Sequence, residues 1–258
     1  MSGVAVHHVV EGPAGGAPVV LSGSLGSDLR MWEPQARALT AAGYRVVRYD
    51  HRGHGDSPVP PGPYTLGDLG ADVIALLDRL NVETAHMVGL SLGGMVGMWL
   101  GEHAPQRIRT LSLCCTSAAL GPAQSWAERA ATVRAQGMRA ITEAVVRRWF
   151  TPAWRAAHPD RIRWFEDMVA ATPARGYAAC CTAIQHMDIA GRLPDITAPT
   201  LVMSGAEDPA TPPEHGRRIA AGIAGARFEI VSPGAHLATA ESADAVSDLI
   251  LGHLKENS

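Results

Sequence analysis

The chain has 258 residues, 47% of them apolar, and a formal net charge of −3. That length fits one large domain with room for an inserted subdomain, and the interspersed charges leave no basic face, so no nucleic-acid partner is expected. No apolar run reaches the ~18–20 residues of a membrane helix, and the opening "MSGVAVHHVVEG" lacks the basic start and long apolar stretch of a secretory leader, so no membrane partner and a cytoplasmic location are expected.

Six short apolar, β-branched runs read as strands. The first, "PVVLSG", leads into "SGSLGSDLRMW" (Ser22–Trp32), which carries small residues where a buried turn would carry bulk. Something approaching bare backbone would explain this, although an ordinary Gly/Ser turn has the same composition. "YRVVRYD" is the second strand, and turn chemistry in the following "DHRGHGDS" accounts for His51 and His54. "TLGDLGADVIALLDRL" has the pattern of a helix, with Thr65 as N-cap and Asp68 three residues later. "AHMVGL" is the third strand, and a helix runs from Ser91 to about His103, ahead of Pro105. The fourth strand, "RTLSLCCTS", holds Cys114 and Cys115. With Cys180 and Cys181 they form two vicinal pairs, poor for disulfides and wrongly spaced for zinc, so they read as small buried hydrophobes in a reducing compartment.

From about Leu120 to Arg192 no strand occurs, and the patterns are amphipathic and helical, broken at Pro152, Pro159 and Pro173. Such a length far exceeds the ~12–15 residues of an ordinary connection. It reads as a helical lid, and its Trp126, Trp149, Trp154 and Trp164 suit either internal packing or an apolar underside. The strands "TLVMSG" and "RFEIVSP" and a helix over roughly Ala238–Leu254 complete the chain. The expected organisation is a core from 1–119 and 193–258 with a lid from 120–192. Its fold class is α/β: a mostly parallel sheet with helices on both faces.

Gly89-Leu90-Ser91-Leu92-Gly93 fits G-x-S-x-G. Chance can produce the pattern, so its setting decides. A strand ahead and a helix behind make the strand–turn–helix of a nucleophile elbow. A serine hydroxyl needs a base, and the base an orienting acid. After "TLVMSG" comes "AEDPATP", offering Glu207 or Asp208, and after "RFEIVSP" comes "GAHLA", offering His236. "CCTSA" carries no carboxylate beyond the earlier strand. Among 11 histidines, His236 alone lies beyond the last strand, next to a glycine-bearing loop and before a helix. Acyl transfer also needs two N–H groups for an oxyanion. Leu92, after the nucleophile, supplies one, and Leu25, in the loop after the first strand, the other.

These segments, with "YDHRGHGDSPVPPGPYTLGDL", "LCCTSAALGP", "RWFTPAW", "GYAACCTAI" and "ITAPTLVMSGAEDPATPPEHG", resemble the α/β-hydrolase superfamily and, within it, the 3-oxoadipate enol-lactonases of aromatic catabolism. The resemblance implies the α/β-hydrolase fold and a triad of Ser91, Asp208 and His236, because the family pattern puts the acid immediately before the proline. It implies Leu25 and Leu92 as oxyanion donors, with Gly23-Ser24 replacing the histidine-glycine pair usual in such hydrolases and Gly23 standing where this family often has asparagine. It implies no metal and no cofactor, a small carboxylated lactone as the partner, and only the lactonase of the lactonase–decarboxylase fusions found in some bacteria. The substrate carboxylate needs a cation. Arg30, Arg134, Arg147 and Arg148 are candidates, with Trp149 as an apolar wall. A homo-oligomer is compatible with this sequence. Aspartate would stand at position 91 in a dehalogenase or epoxide hydrolase. A general carboxylesterase, another lactonase, a cofactor-free perhydrolase and a non-catalytic small-molecule receptor share the scaffold and stay open.

Overall fold

Residues 3–257 are described by the computed structural model. Its seven strands, β1 (His8–Glu11), β2 (Pro18–Ser22), β3 (Arg45–Tyr49), β4 (Ala85–Leu90), β5 (Ile108–Cys114), β6 (Thr200–Gly205) and β7 (Arg227–Val231), form one sheet. The order is β1-β3-β2-β4-β5-β6-β7. Only β1 runs antiparallel to its neighbour. β1 was not among the expected strands: "HVVE" is four residues long, half-exposed and closed by polar residues at both ends, so it carries little pattern.

The central strand β4 is buried at every position, as a strand covered on both sides must be. Helices α1 (Glu33–Ala41), α2 (Leu66–Arg79) and α3 (Leu92–His103) follow the early strands. Gly97 of α3 faces Met87, Leu111 and Leu113, which share one face of the sheet. Thr65 caps α2 through a full capping box with Asp68.

Between β5 and β6 lie α4 (Ala123–Gln136), α5 (Arg139–Trp149), α6 (Pro152–Ala157), α7 (Pro159–Ala171) and α8 (Ala174–Gln185). Proline opens α6 and α7, where its missing N–H costs nothing. Gly137, at φ 77°, separates α4 from α5. The insertion is seated on the core where the backbones of Gly53 and Gly176 touch. A Cβ on either would collide with the other's backbone. Beside that seam, Tyr64 N–H donates to Ala179 O at 3.4 Å.

Helices α9 (Pro213–Gly222), α10 (Ala238–Glu241) and α11 (Ala243–Glu256) complete the chain. The single helix expected over Ala238–Leu254 is thus two, broken at Ser242. Buried Gln35 of α1 bridges the break: its amide donates to Thr239 O at 2.9 Å, a carbonyl at the end of α10, and to Ala243 O at 3.3 Å at the start of α11. His253 of α11 reaches the opposite sheet face from α3, where His86 lies, so helices cover both faces. All four cysteines are buried and free. Among the described residues no helix is long and apolar enough to cross a membrane.

Candidate active site

The turn between β4 and α3 holds Ser91 at φ 56° and ψ −112°, a region that costs a non-glycine residue of order 1–3 kcal/mol. Backbone bonds fix it there. Ser91 N–H donates to Cys114 O at 2.9 Å, and its carbonyl accepts Met95 N–H at 3.0 Å and the Thr116 hydroxyl at 2.7 Å. Gly93 lies so close to the Ser22 carbonyl that no side chain fits. The hydroxyl itself has no hydrogen-bond partner among the described residues and opens onto a cavity of about 170 Å³.

Beyond β6, the loop buries Asp208 and leaves its neighbour Glu207 exposed. One Asp208 oxygen accepts the N–H groups of Ala210 (2.8 Å) and Thr211 (3.0 Å). The other accepts the Thr211 hydroxyl (2.7 Å) and His236 Nδ1–H (2.9 Å). Burial pushes the Asp208 carboxyl up, but His236 and these hydrogen bonds outweigh it, and the net value lies below the ordinary carboxylate range. His236 Nε2 is left facing the cavity that Ser91 also walls. No hydrogen bond joins the two side chains directly, and a base–nucleophile contact of this kind commonly tightens only in the complex with substrate.

The glycine-rich loop after β2 supplies the opposite wall. Gly23 O accepts Gly93 N–H at 3.0 Å, which ties the loop to the first turn of α3. His51 donates from Nε2 to the same carbonyl at 3.0 Å, and His54 Nε2 accepts Gly26 N–H at 3.0 Å. These histidines therefore brace the loop from below, a role that turn chemistry did not suggest. Neither Leu25 nor Leu92 N–H has an acceptor among the described residues, and both lie beside Ser91. An added Cβ at position 23 would stand 2.9 Å from Ser27 Oγ and 3.2 Å from Met31 Sδ, so only glycine fits without rearrangement.

Burial and the adjacent His54 hold His51 down to about 3, and burial holds His54 down to about 4. Both are neutral when folded, whereas in the unfolded chain each takes up a proton below its ordinary ~6.5. The unfolded state then binds more protons, so stability falls as pH drops through that window. Going from pH 6.5 to 5 should remove about 1.6 kcal/mol of unfolding free energy per histidine. Urea unfolding at the two pH values measures it, and an unchanged midpoint would mean that the buried rings accept protons without penalty.

Two arginines enter the cavity. Arg148, at the end of α5, is half-buried there; burial and the nearby Arg129 cation push its guanidinium below its ordinary value. Arg129 of α4 stacks over Trp126 at 4.6 Å and was not among the sequence candidates. Neither forms an ion pair among the described residues. Trp149 walls the same cavity, packed edge-on against Phe165 at 6.0 Å.

Three other candidates are corrected. Arg30 pairs bidentately with Asp28, at 2.9 and 2.6 Å, and its guanidinium lies 5.4 Å from the Trp164 ring outside the cavity. Arg134 and Arg147 are exposed and do not wall the cavity. Successive helical residues turn by about 100°, so Arg147 must point away when Arg148 points in. Trp154 and Trp164 pack against Phe150 and Phe165, respectively.

A family model described as alpha/beta hydrolase fold matches residues 17–243. The chain is 36% identical to 3-oxoadipate enol-lactonase 2 of Acinetobacter baylyi, over 98% of this chain and 94% of the relative. It is 35% identical to a Variovorax paradoxus protein named "Putative carbamate hydrolase RutD", over 90% of this chain and 89% of that one. Among solved structures, the enol-lactonase from Burkholderia xenovorans LB400 superposes with a TM-score of 0.95 at 39% identity, covering 97% of this chain and 96% of its own.

Proposed function

The chain belongs to the α/β-hydrolase family and is a hydrolase, and from that premise we propose that it opens 3-oxoadipate enol-lactone to 3-oxoadipate in aromatic catabolism. The observation that carries this reading is the pair of cations, Arg129 and Arg148, that have no carboxylate partner among the described residues and line the cavity shared by Ser91 and His236. A lactone bearing a free carboxylate supplies the missing counter-charge, and bound there it presents its ring carbonyl to the serine. The enol-lactonases among its relatives support the same substrate.

In this mechanism His236 Nε2 takes the proton of Ser91 Oγ as the oxygen attacks the ring carbonyl. The oxyanion is held by Leu25 and Leu92 N–H, aided by the N-terminus of α3. Collapse breaks the ring C–O bond, and the departing enolate oxygen takes the proton from His236. Because an enolate is a better leaving group than an alkoxide, this proton transfer is undemanding. The enol stays tethered to the acyl group, now an ester on Ser91. Water, deprotonated by His236, attacks that ester, and Ser91 leaves with the proton. The free enol then settles to the ketone. Every step uses groups of this chain and water.

The test compares kcat/KM on the enol-lactone, on a neutral p-nitrophenyl ester of similar size and on a small carbamate. The enol-lactone should be the best substrate by a wide margin. Arg148→Gln and Arg129→Gln should each lower kcat/KM on the lactone by about 10–100-fold, the worth of one charge-assisted hydrogen bond, and affect the neutral ester far less. Equal losses on both substrates would make the arginines structural. Comparable wild-type rates on lactone and ester would make the protein a general esterase, and preference for the carbamate would align it with its other relatives.

A further inference from the structure

The loop that carries His236 is bolted to the insertion on both sides of the histidine. On one side, Ala235 N–H donates to the Glu241 carboxylate at 3.0 Å. The same carboxylate accepts Thr151 N–H, at 3.2 and 3.3 Å, and a short hydrogen bond from the Thr151 hydroxyl. On the other side, Leu237 N–H donates to Trp149 O at 2.8 Å. Thr151 Oγ in turn accepts Trp154 N–H at 3.2 Å and caps α6, so its own proton is committed to Glu241. The two residues on the insertion side of these bonds, Trp149 and Thr151, follow directly on Arg148, and the side chains of Arg148 and Trp149 wall the cavity.

We propose that Glu241 is a positioning residue for the general base, locking the His236 loop to the segment 148–151 so that imidazole and bound substrate share one register. Asp208 fixes the ring's tautomer and tilt, but it cannot fix where the loop sits relative to the substrate wall. That wall belongs to a different stretch of chain, and the Glu241 carboxylate joins the two. Its charge matters, because three donors from two segments converge on it. A glutamine would turn its NH2 toward at least one of them and lose half of the latch. A misplacement of about 1 Å at the reacting atoms costs on the order of 10²-fold in rate.

The inference rests on the reading of His236 as base, and its test separates the two. Glu241→Gln and Thr151→Val are made singly and together in the full chain, with Thr151→Ser, which keeps the hydroxyl, as the conservative comparison. Two signals are followed: the rate at which a fluorophosphonate labels Ser91, read by intact mass, and the His236 Nδ1–H resonance in the NMR spectrum. Both single variants should label about 10–100-fold more slowly with that resonance displaced or broadened, at temperatures where thermal unfolding shows them folded. The double variant should be no slower than the slower single one, because both remove one link, and Thr151→Ser should retain more activity than Thr151→Val. Wild-type labelling rates with an unmoved resonance would overturn the proposal, as would losses that only track the unfolded fraction or that multiply in the double variant. A displaced resonance in a protein whose Ser91 never labels would uphold the latch and sink the assignment of the nucleophile.

Discussion

Ser91→Ala is expected to lower kcat on the enol-lactone by about 10⁶-fold, the scale seen when the nucleophile is removed from a serine triad. The backbone reasons for a clean result are specific. The elbow is held by the Ser91 N–H and carbonyl bonds to Cys114, Met95 and Thr116, none of which involves the deleted oxygen. The hydroxyl has no hydrogen-bond partner among the described residues, so its loss orphans none of them. Alanine bears the same positive-φ strain as serine, so the melting temperature should stay within a few degrees. Residual turnover above the uncatalysed rate would come from the Leu25 and Leu92 amides and the arginines, which still hold the lactone. Turnover within tenfold of wild type, measured by the loss of lactone absorbance, would place the nucleophile elsewhere.

Asp208→Asn should cost about 10⁴-fold in kcat, and the reason is a tautomer rather than a charge. The Asp208 oxygen that accepts the Ala210 and Thr211 amides must stay an oxygen. The substituted NH2 then occupies the other position, facing His236 Nδ1 and the Thr211 hydroxyl. An amide there donates to Nδ1, which drives the imidazole proton to Nε2, where the base must be empty to receive the serine proton. The acid also stabilises the imidazolium that forms in each half-reaction, and that contribution disappears as well. The expected readout is a fall in kcat with little change in KM, since the arginine-lined wall is untouched. A change in KM alone would mean that Asp208 shapes the cavity and does not orient the base.

How far the sequence reveals this site depends on whether a feature is local. The elbow is local: Gly89, Ser91 and Gly93 lie within one turn, between a buried strand and a helix, and their spacing is readable. The acid is less so, because Glu207 and Asp208 are neighbours of the same chemistry. Burial separates them, and burial of a loop is decided by what packs on it. The placement of Arg129 and Arg148 in the cavity depends on how the insertion folds over the core. Arg129 left one trace: on α4 it falls in the stripe of Trp126, Ala130 and Val133, a cation interrupting an inward-facing helix surface. Arg30 looked attractive because it follows the oxyanion loop, but Asp28, two residues before it, captures the guanidinium. His51 and His54 act on residues 28 positions earlier, a distance that no local pattern encodes.

The glycine seam between residues 53 and 176 settles where this molecule can be remodelled. With two backbones in direct contact, α8 is held against the loop that follows β3, so although it arises within the insertion it packs as a rib of the core. The solvent-facing part of the cavity is its outer rim, where Gly121 and Ser125 line it and residues 121–125 are exposed throughout. Widening the doorway for bulkier acyl chains therefore means redesigning that rim, and the rib behind it is the fixed jamb against which any new opening has to be cut.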